Sequence, residues 1–214
     1  MSAPESPRAP RSRREERKEE TRSELIAAAA KLFARHGYHG VGLEQIAREA
    51  GFSTGAIYWH FAGKQDLFLA LYEEWVARRV REIRAGSSEQ SNLVERARAA
   101  ADDWMRRLAD DPDPLLLRLE FTIRAARDPE LRQQLGARAG AVPLAIRQLL
   151  EERAEAGARE LRLPPDELAL ALQALSLGLA LEALSNPDAV RPGLNGDLAA
   201  MLVELAEGPP PRRQ

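Results

Sequence analysis

The chain has 214 residues, 44% hydrophobic and only 5% aromatic, rich in Ala, Leu, Arg and Glu and without cysteine. That length suits one sizeable domain or two small ones, the composition favours helix over strand, and the lack of cysteine excludes disulfides and thiol chemistry. A net charge of −2 argues against a generally basic architectural nucleic-acid binder, although residues 1–14 carry four Arg against one Glu, 15–64 balance at seven each, and 65–214 hold 20 basic and 25 acidic groups.

Residues 1–14, with Pro4, Pro7 and Pro10 among Ser and Arg, are too proline-rich and polar to pack and are expected to form a disordered arm. A first helix is predicted over about 16–35, where Leu25, Ala28, Ala29, Leu32 and Phe33 recur at spacings of three and four. His36-Gly37-Tyr38 ends it. Two short helices joined by a tight turn follow. Leu43, Ile46, Ala47 and Ala50 form one apolar stripe, and Gly51 supplies the left-handed residue that stops the helix. Ser53 opens the next helix, its hydroxyl placed to accept from the free N–H groups. Ile57 and Phe61 mark that helix's buried side, while Thr54, Gly55, Tyr58, Trp59 and His60 occupy its other faces. A fourth helix is predicted over about 64–84, with Leu67, Leu71 and Trp75 on one side and Gly86-Ser87-Ser88 closing it.

Beyond Asn92, helices are predicted over 93–108, 115–127, 130–156, 165–185 and 197–207. Pro143 lies inside the third of these and is expected to bend or break it. Pro209-Pro210-Pro211 ends ordered structure, leaving 208–214 as a tail. The longest uncharged apolar stretch, 168–181, has 14 residues, short of the ~20 that cross a bilayer. No secretory leader pattern opens the chain, so a cytoplasmic protein off the membrane is expected.

The 168–184 stretch is apolar nearly all round, broken only by Gln173, Ser176, Gly178 and Glu182, and must be covered on several sides. Leu172, Leu175 and Leu179 can pair with Leu198, Met201, Leu202 and Leu205 and with their copies across a two-fold axis, as a four-helix interface. An intrachain core helix is the other reading. Trp104, Met105, Leu108, Leu117, Phe121 and Ile123 could surround an apolar cavity, with Arg124, Gln173 and Ser176 orienting a ligand's polar end. The same spacing also describes plain core.

Two helices joined by a tight turn let one brace while the next enters a DNA major groove. Base edges there are read by hydrogen bonds and by contact with the thymine methyl. Thr54 can do either, Gly55 permits close backbone approach, and Trp59 can set its ring against a sugar or a methyl. Tyr58 and His60 can donate to phosphate oxygens. Lys64 adds charge beside the first N–H groups of the fourth helix. Arg8, Arg11, Arg13 and Arg14 could reach a phosphate or minor groove, or form only a solvated tail. Gly51-Phe52-Ser53-Thr54-Gly55 also fits the hydrolase elbow Gly-x-Ser-x-Gly, but that motif needs a preceding strand and a later acid and histidine. Here a helix precedes it, and no acid lies between Ser53 and His60, the only later histidine. No enzymatic constellation is found. His36 and His39 could be offered as metal ligands, but partners to close a site cannot be placed, so neither metal nor cofactor is expected.

Residues 46–67 follow the pattern Ile-Ala-x-x-Ala-Gly-Phe-Ser-x-Gly-Ala-Ile-Tyr-x-His-Phe-x-x-Lys-x-x-Leu, and Leu25, Ala29, Leu32, Phe33 and Gly37-Tyr38 extend the match upstream. This stretch, about 22–75, resembles the DNA-binding domain of the TetR family of one-component transcriptional regulators. Gly42 departs from the family, which commonly has Thr or Ser there, although Gly is itself tolerated as an N-cap. The resemblance implies an all-α protein with a three-helix helix-turn-helix domain over 15–64 and a helical ligand-binding and dimerisation domain over 65–207. It implies a homodimer on a palindromic operator in double-stranded DNA, acting as a repressor released by a small apolar or amphipathic inducer. In the family, residues matching Tyr58 and His60 contact phosphates. The competing reading is a helical small-molecule carrier with no DNA function.

Overall fold

Among the described residues, 13–85, 92–155 and 161–207 of the computed structural model, the regular structure is helical. The exceptions are a single bridge between Leu161 and Glu207 and a 3-10 turn over Pro187–Ala189. The helices are α1 (Arg13–His36), α2 (Leu43–Glu49), α3 (Thr54–His60), α4 (Lys64–Ala85), α5 (Leu93–Asp110), α6 (Asp113–Ala125), α7 (Pro129–Ala139), α8 (Ala141–Glu155), α9 (Pro165–Ser185) and α10 (Leu194–Ala206). Arg13 and Arg14, assigned above to a disordered arm, belong instead to α1, whose first turn also holds Glu15 and Glu16 and so suits the helix N-terminus electrostatically. Arg8 and Arg11, the closing Gly86-Ser87-Ser88 and the 208–214 tail lie outside the described residues.

Two compact units divide the chain between Leu71 and Tyr72, inside α4 rather than at its start. The first turns of α4 carry Leu67, Phe68 and Leu71, all buried in the first unit's core with Leu25, Ile26, Ala29 and Phe33 of α1. The rings of Phe33, Tyr38 and Phe68 lie with centroids 5.4, 5.8 and 6.3 Å apart, in the tilted and edge-on arrangements that aromatic pairs prefer. Ile46 and Ala47 of α2 and Ile57 of α3 complete this core.

In the second unit, α10 packs on α5 and α9, and α8 lies along α9. Helix starts follow capping chemistry. Asn92 Oδ1 accepts the Glu95 N–H at 2.8 Å while the Glu95 carboxylate accepts the Asn92 N–H at 3.3 Å, a reciprocal capping box. Asp128 Oδ1 accepts from the N–H groups of Glu130 and Leu131, both at 3.1 Å, with Pro129 in the first helical position. The helix expected over 130–156 is two helices, α7 and α8. Pro143 has no N–H to give the carbonyl of Ala139, and its ring collides with that carbonyl. So α7 ends at Ala139, and Pro143 falls in the first turn of α8, where the donor is not needed.

Asn195 pins three helices together. It is 1% exposed, and its Nδ2 donates to the Ala101 carbonyl on α5 at 2.9 Å while its Oδ1 accepts from Ser176 Oγ on α9 at 3.3 Å. The adjacent Gly196 N–H donates to Asp102 Oδ1 at 3.0 Å, and a Cβ at Gly196 would stand 2.4 Å from that carboxylate. Asn195→Ala removes the side-chain bonds that tie α10 to Ala101 of α5 and Ser176 of α9 and leaves a small void, and is expected to cost about 1–3 kcal/mol in urea unfolding at fixed protomer concentration. An unchanged midpoint would mean the three-helix junction does not rely on this side chain.

Candidate nucleic-acid interface and interior cavity

The turn between α2 and α3 is a Schellman motif. Gly51 takes φ +78°, its N–H donates to Arg48 O at 3.1 Å, and the Phe52 N–H donates to Ala47 O at 2.8 Å. Only a glycine adopts that backbone without strain. At the start of α2, Gly42 is the N-cap, and its N–H donates to Gln45 Oε1 at 2.7 Å. Half of a capping box therefore survives without a side chain at position 42. Ser53 is the N-cap of α3 in an extended conformation, but its hydroxyl caps no N–H, contrary to expectation. The hydroxyl stays exposed instead.

α3 is anchored by Ile57, fully buried, and ends at Phe61, 4% exposed. Its other faces are open. Tyr58 and Trp59 are 63% and 60% exposed, Gly55 is exposed, and Thr54 is half-buried. Large aromatics held at that exposure on an anchored helix are available to a partner. Two cations from α1 flank them. Lys18 Nζ lies 4.8 Å from the Trp59 ring centroid, and the Arg22 guanidinium 5.4 Å from that of Phe61. Neither was singled out in the sequence, yet stepping back from Leu25 by three and then four residues reaches both. Lys64 Nζ sits 4.2 Å from the Tyr38 centroid, its stem half-buried. Asp66 also occupies the first turn of α4 and accepts the Ala62 N–H at 3.0 Å, so the charge there is mixed.

His60 is half-buried, and its Nδ1 has no hydrogen-bond partner among the described residues. Burial, then the charges of Lys18 and Arg22, hold its pKa below the ordinary 6.5, against a weaker opposite pull from Glu19. At neutral pH it is an uncharged imidazole, which can donate through one nitrogen only.

The second unit encloses a cavity of about 520 Å³ between α4, α5, α6, α8, α9 and α10. Of the residues expected to line it, Trp104, Gln173 and Ser176 do. Met105 and Leu108 do not; they pack with Leu115, Leu119 and Ala180 in a separate apolar cluster. Leu117 and Phe121 are buried, 2% and 0% exposed, but do not line the cavity. Arg124 lies over the Phe121 ring at 5.4 Å, and Ile123 is 61% exposed. The error lies in α6, which presents Arg118 to the cavity rather than its apolar stripe. Arg79, Glu82 and Ile83 of α4 also line it and were missed, because a charged helix face ordinarily faces solvent.

On α9 and α10 the outward stripe consists of Leu170, Leu181, Met201 and Leu205, between 37% and 65% exposed. Leu175, Leu179 and Leu198 are half-buried beside it. Leu172 and Leu202, assigned above to the interface, turn inward: Leu172 lines the cavity, and both pack on Leu150, Leu168, Ala169 and Ala206.

Residues 25–71 match the sequence profile described as bacterial regulatory proteins, tetR family, and residues 93–205 match that of the BetI-type transcriptional repressor, C-terminal. The chain is 31% identical over 176 residues to the HTH-type transcriptional repressor AcnR of Corynebacterium efficiens, covering 77% of this chain and 87% of that protein. It is 28% identical over 168 residues to the HTH-type transcriptional activator FasR of Mycolicibacterium smegmatis, covering 78% and 74% respectively. The crystal structure of a TetR-family regulator from Rhodococcus sp. superposes with a TM-score of 0.74 at 20% identity, over 89% of this chain and 100% of that one, a likeness of fold.

A depressed histidine pKa has a signed consequence. As pH falls through 6.5 the unfolded chain takes up the proton first, so folded stability declines toward the lowered value. Thermal midpoints between about pH 7.5 and 5 are therefore expected to fall more steeply for the native chain than for His60→Asn. Parallel curves would place His60 in an environment like water.

Proposed function

This chain belongs to the tetR family of bacterial regulatory proteins and is a ligand-responsive DNA-binding regulator, and from that premise we propose that it is a homodimeric repressor of a palindromic operator, released by a small molecule. The observation that carries the reading is α3. Its buried edge is fixed by Ile57 and Phe61, while Thr54, Gly55, Tyr58 and Trp59 are presented outward with cationic α1 residues alongside. Thr54 and Gly55 approach base edges. Ser53, Tyr58, Trp59, neutral His60 and Lys64 engage sugar and phosphate. Lys18 and Arg22 add charge that attracts phosphate whatever the sequence.

The dimer is supported by α9. It has the length and apolarity to cross a membrane, with a mean hydropathy of 1.7. Only 22% of its most apolar stretch is fully buried within one chain, much of the rest is half-covered, and an exposed stripe through Leu170 and Leu181 continues onto α10 through Met201 and Leu205. A regulator bound to DNA in the cytoplasm covers that stripe with a second copy, whose identical face is self-complementary across a two-fold. Leu175, Leu179 and Leu198 border the contact. Two reading helices so related meet half-sites ~34–36 Å apart. A ligand in the cavity shifts the dimer between DNA-competent and incompetent forms only by its difference in affinity for the two.

Fluorescence anisotropy with an operator from the DNA beside the coding region, against scrambled duplex at several salt concentrations, tests this reading. Tight, selective and salt-sensitive binding is expected; equal binding to both duplexes would end the repressor reading. Thr54→Ala is expected to relax base preference, whereas Lys64→Ala weakens every duplex alike and lowers the salt slope by about 1. Met201→Glu combined with Leu205→Glu is expected to give monomers in sedimentation and to lose most operator affinity, since a half-site alone binds weakly.

A further inference from the structure

The cavity carries a charge imprint that narrows what it binds. Five guanidinium groups line it, from Arg79, Arg96, Arg106, Arg107 and Arg118, against two carboxylates, Glu82 and Asp103. The stretch that builds it, 65–214, is net acidic, with 20 basic and 25 acidic residues. The excess of positive charge is thus local to the cavity. The two carboxylates are already engaged by arginines. Asp103 pairs with Arg107 at 2.7 Å and with Arg106 at 3.2 Å, and Glu82 pairs with Arg107 at 3.1 Å. Arg106 and Arg107 are exposed and stand at the mouth of the cavity, whereas the Glu82 side chain is 18% exposed and reaches inward toward Arg79 as well.

Deeper in, the balance is different. Arg79 has a side chain only 19% exposed and stands 3.8 Å from Glu82, with one Nη donating to the Ala100 carbonyl at 3.1 Å and the guanidinium 5.4 Å from the Trp104 ring. Burial pulls its pKa down, with Glu82 and Asp103 opposing, yet a guanidinium keeps its proton in a protein. Arg118 is half-buried and forms no ion pair among the described residues. Trp104 Nε1–H on α5 and Gln173 Oε1 on α9 are buried in residues that line the cavity, each without a hydrogen-bond partner among the described residues. Such groups are costly to leave unpaired: an oxyanion accepts the Trp104 N–H, whereas Gln173 Oε1 calls for a donor elsewhere on the ligand, such as a hydroxyl or amide N–H. Apart from Ser176, the rest of the wall is apolar, with Leu93, Ile146, Leu149, Leu150 and Val203 among its side chains.

We propose that the cavity takes an amphipathic organic anion, its oxyanion head held by Arg118 and Arg79 and its apolar body against α8 and α10. A cation of the same shape meets like charge in a medium of low polarity, and an uncharged one leaves the guanidinium groups unanswered. The inference rests on the regulator reading only in making this the effector site; the charge selectivity stands apart from DNA.

The test uses two dyes of one shape, 8-anilinonaphthalene-1-sulfonate and its uncharged counterpart N-phenyl-1-naphthylamine, titrated into the full chain with fluorescence readout. The sulfonate is expected to bind at least about tenfold more tightly. Arg118→Gln is expected to abolish that preference, Arg118→Lys to keep most of it, and Arg132→Gln, an exposed change on α7, to leave it unaltered. Should Arg118→Gln fail to fold, displacement of the sulfonate dye from the native chain serves instead. Dodecanoate is then expected to displace it at about tenfold lower concentration than dodecan-1-ol. Equal affinity for the two dyes, equal displacement, no dye binding, or an Arg118→Gln chain that still prefers the sulfonate would each overturn the proposal. Operator affinity of the same dye-free preparation separates the readings. Its loss with charge preference intact would sink the regulator mechanism and leave this inference standing; its retention without charge preference would do the reverse.

Discussion

The outward face of α3 depends on one constraint: α3 has seven residues and cannot persist as a helix alone. Isolated helices shorter than ~12–15 residues are marginal in water, because nucleation fixes several residues for one hydrogen bond. α3 has its shape because Ile57 is locked into the core of the first unit and because Gly51 sets the chain's exit from α2. Burial of one face and a left-handed glycine before it leave the remaining faces unable to bury. That is why Tyr58 and Trp59, which most folds would cover, stand open here. Two large aromatics stay exposed because the apolar packing of this helix lies on its other side, with Lys18 of α1 reaching over Trp59.

The first unit was legible because its determinants are local. Apolar spacing in α1 and α2, the glycine stop and the Ile57–Phe61 edge each act within a few residues, and the structure places them where the spacing puts them. The capping failures share this locality. Ser53 holds the N-cap position without using its hydroxyl, so the residue type marks the boundary while the hydrogen bond does not form. Lys18 and Arg22 were less legible. They extend the buried stripe of α1 with long, charged side chains, and such residues lie along an apolar surface while their heads stay in water. A pattern search that counts only apolar residues stops at Leu25.

The cavity was legible only in outline, for a physical reason. Helical periodicity says which side of a helix is buried but not whether that side meets side chains or empty space. Phe121 and Leu117 are as buried as the sequence implies, yet they fill core, while the wall of the cavity uses charged residues of α4, α5 and α6. Leu172 and Leu202 show the same limit on α9 and α10. A helix apolar all round offers no polar face to fix its rotation, so partner-facing and core-facing leucines cannot be told apart from spacing.

The charged wall bears on how a ligand could act at a distance. α4 is one uninterrupted helix, its first turns in the core of the first unit and Arg79, Glu82 and Ile83 of its last turns on the cavity wall. Glu82 is the internal anion nearest Arg79, so an anionic ligand competes with a residue one turn further along the same helix. Such a ligand acts on α4 through a charge exchange, whereas an apolar ligand resting on α8 and α10 would touch that helix only by filling space. The exchange cannot favour one form of the dimer by more than the ligand's own preference for it. By reciprocity operator DNA must weaken the ligand by the same factor that the ligand weakens DNA. A cavity built from apolar side chains alone would have to obtain that difference from shape; here part of it can come from which carboxylate Arg79 faces.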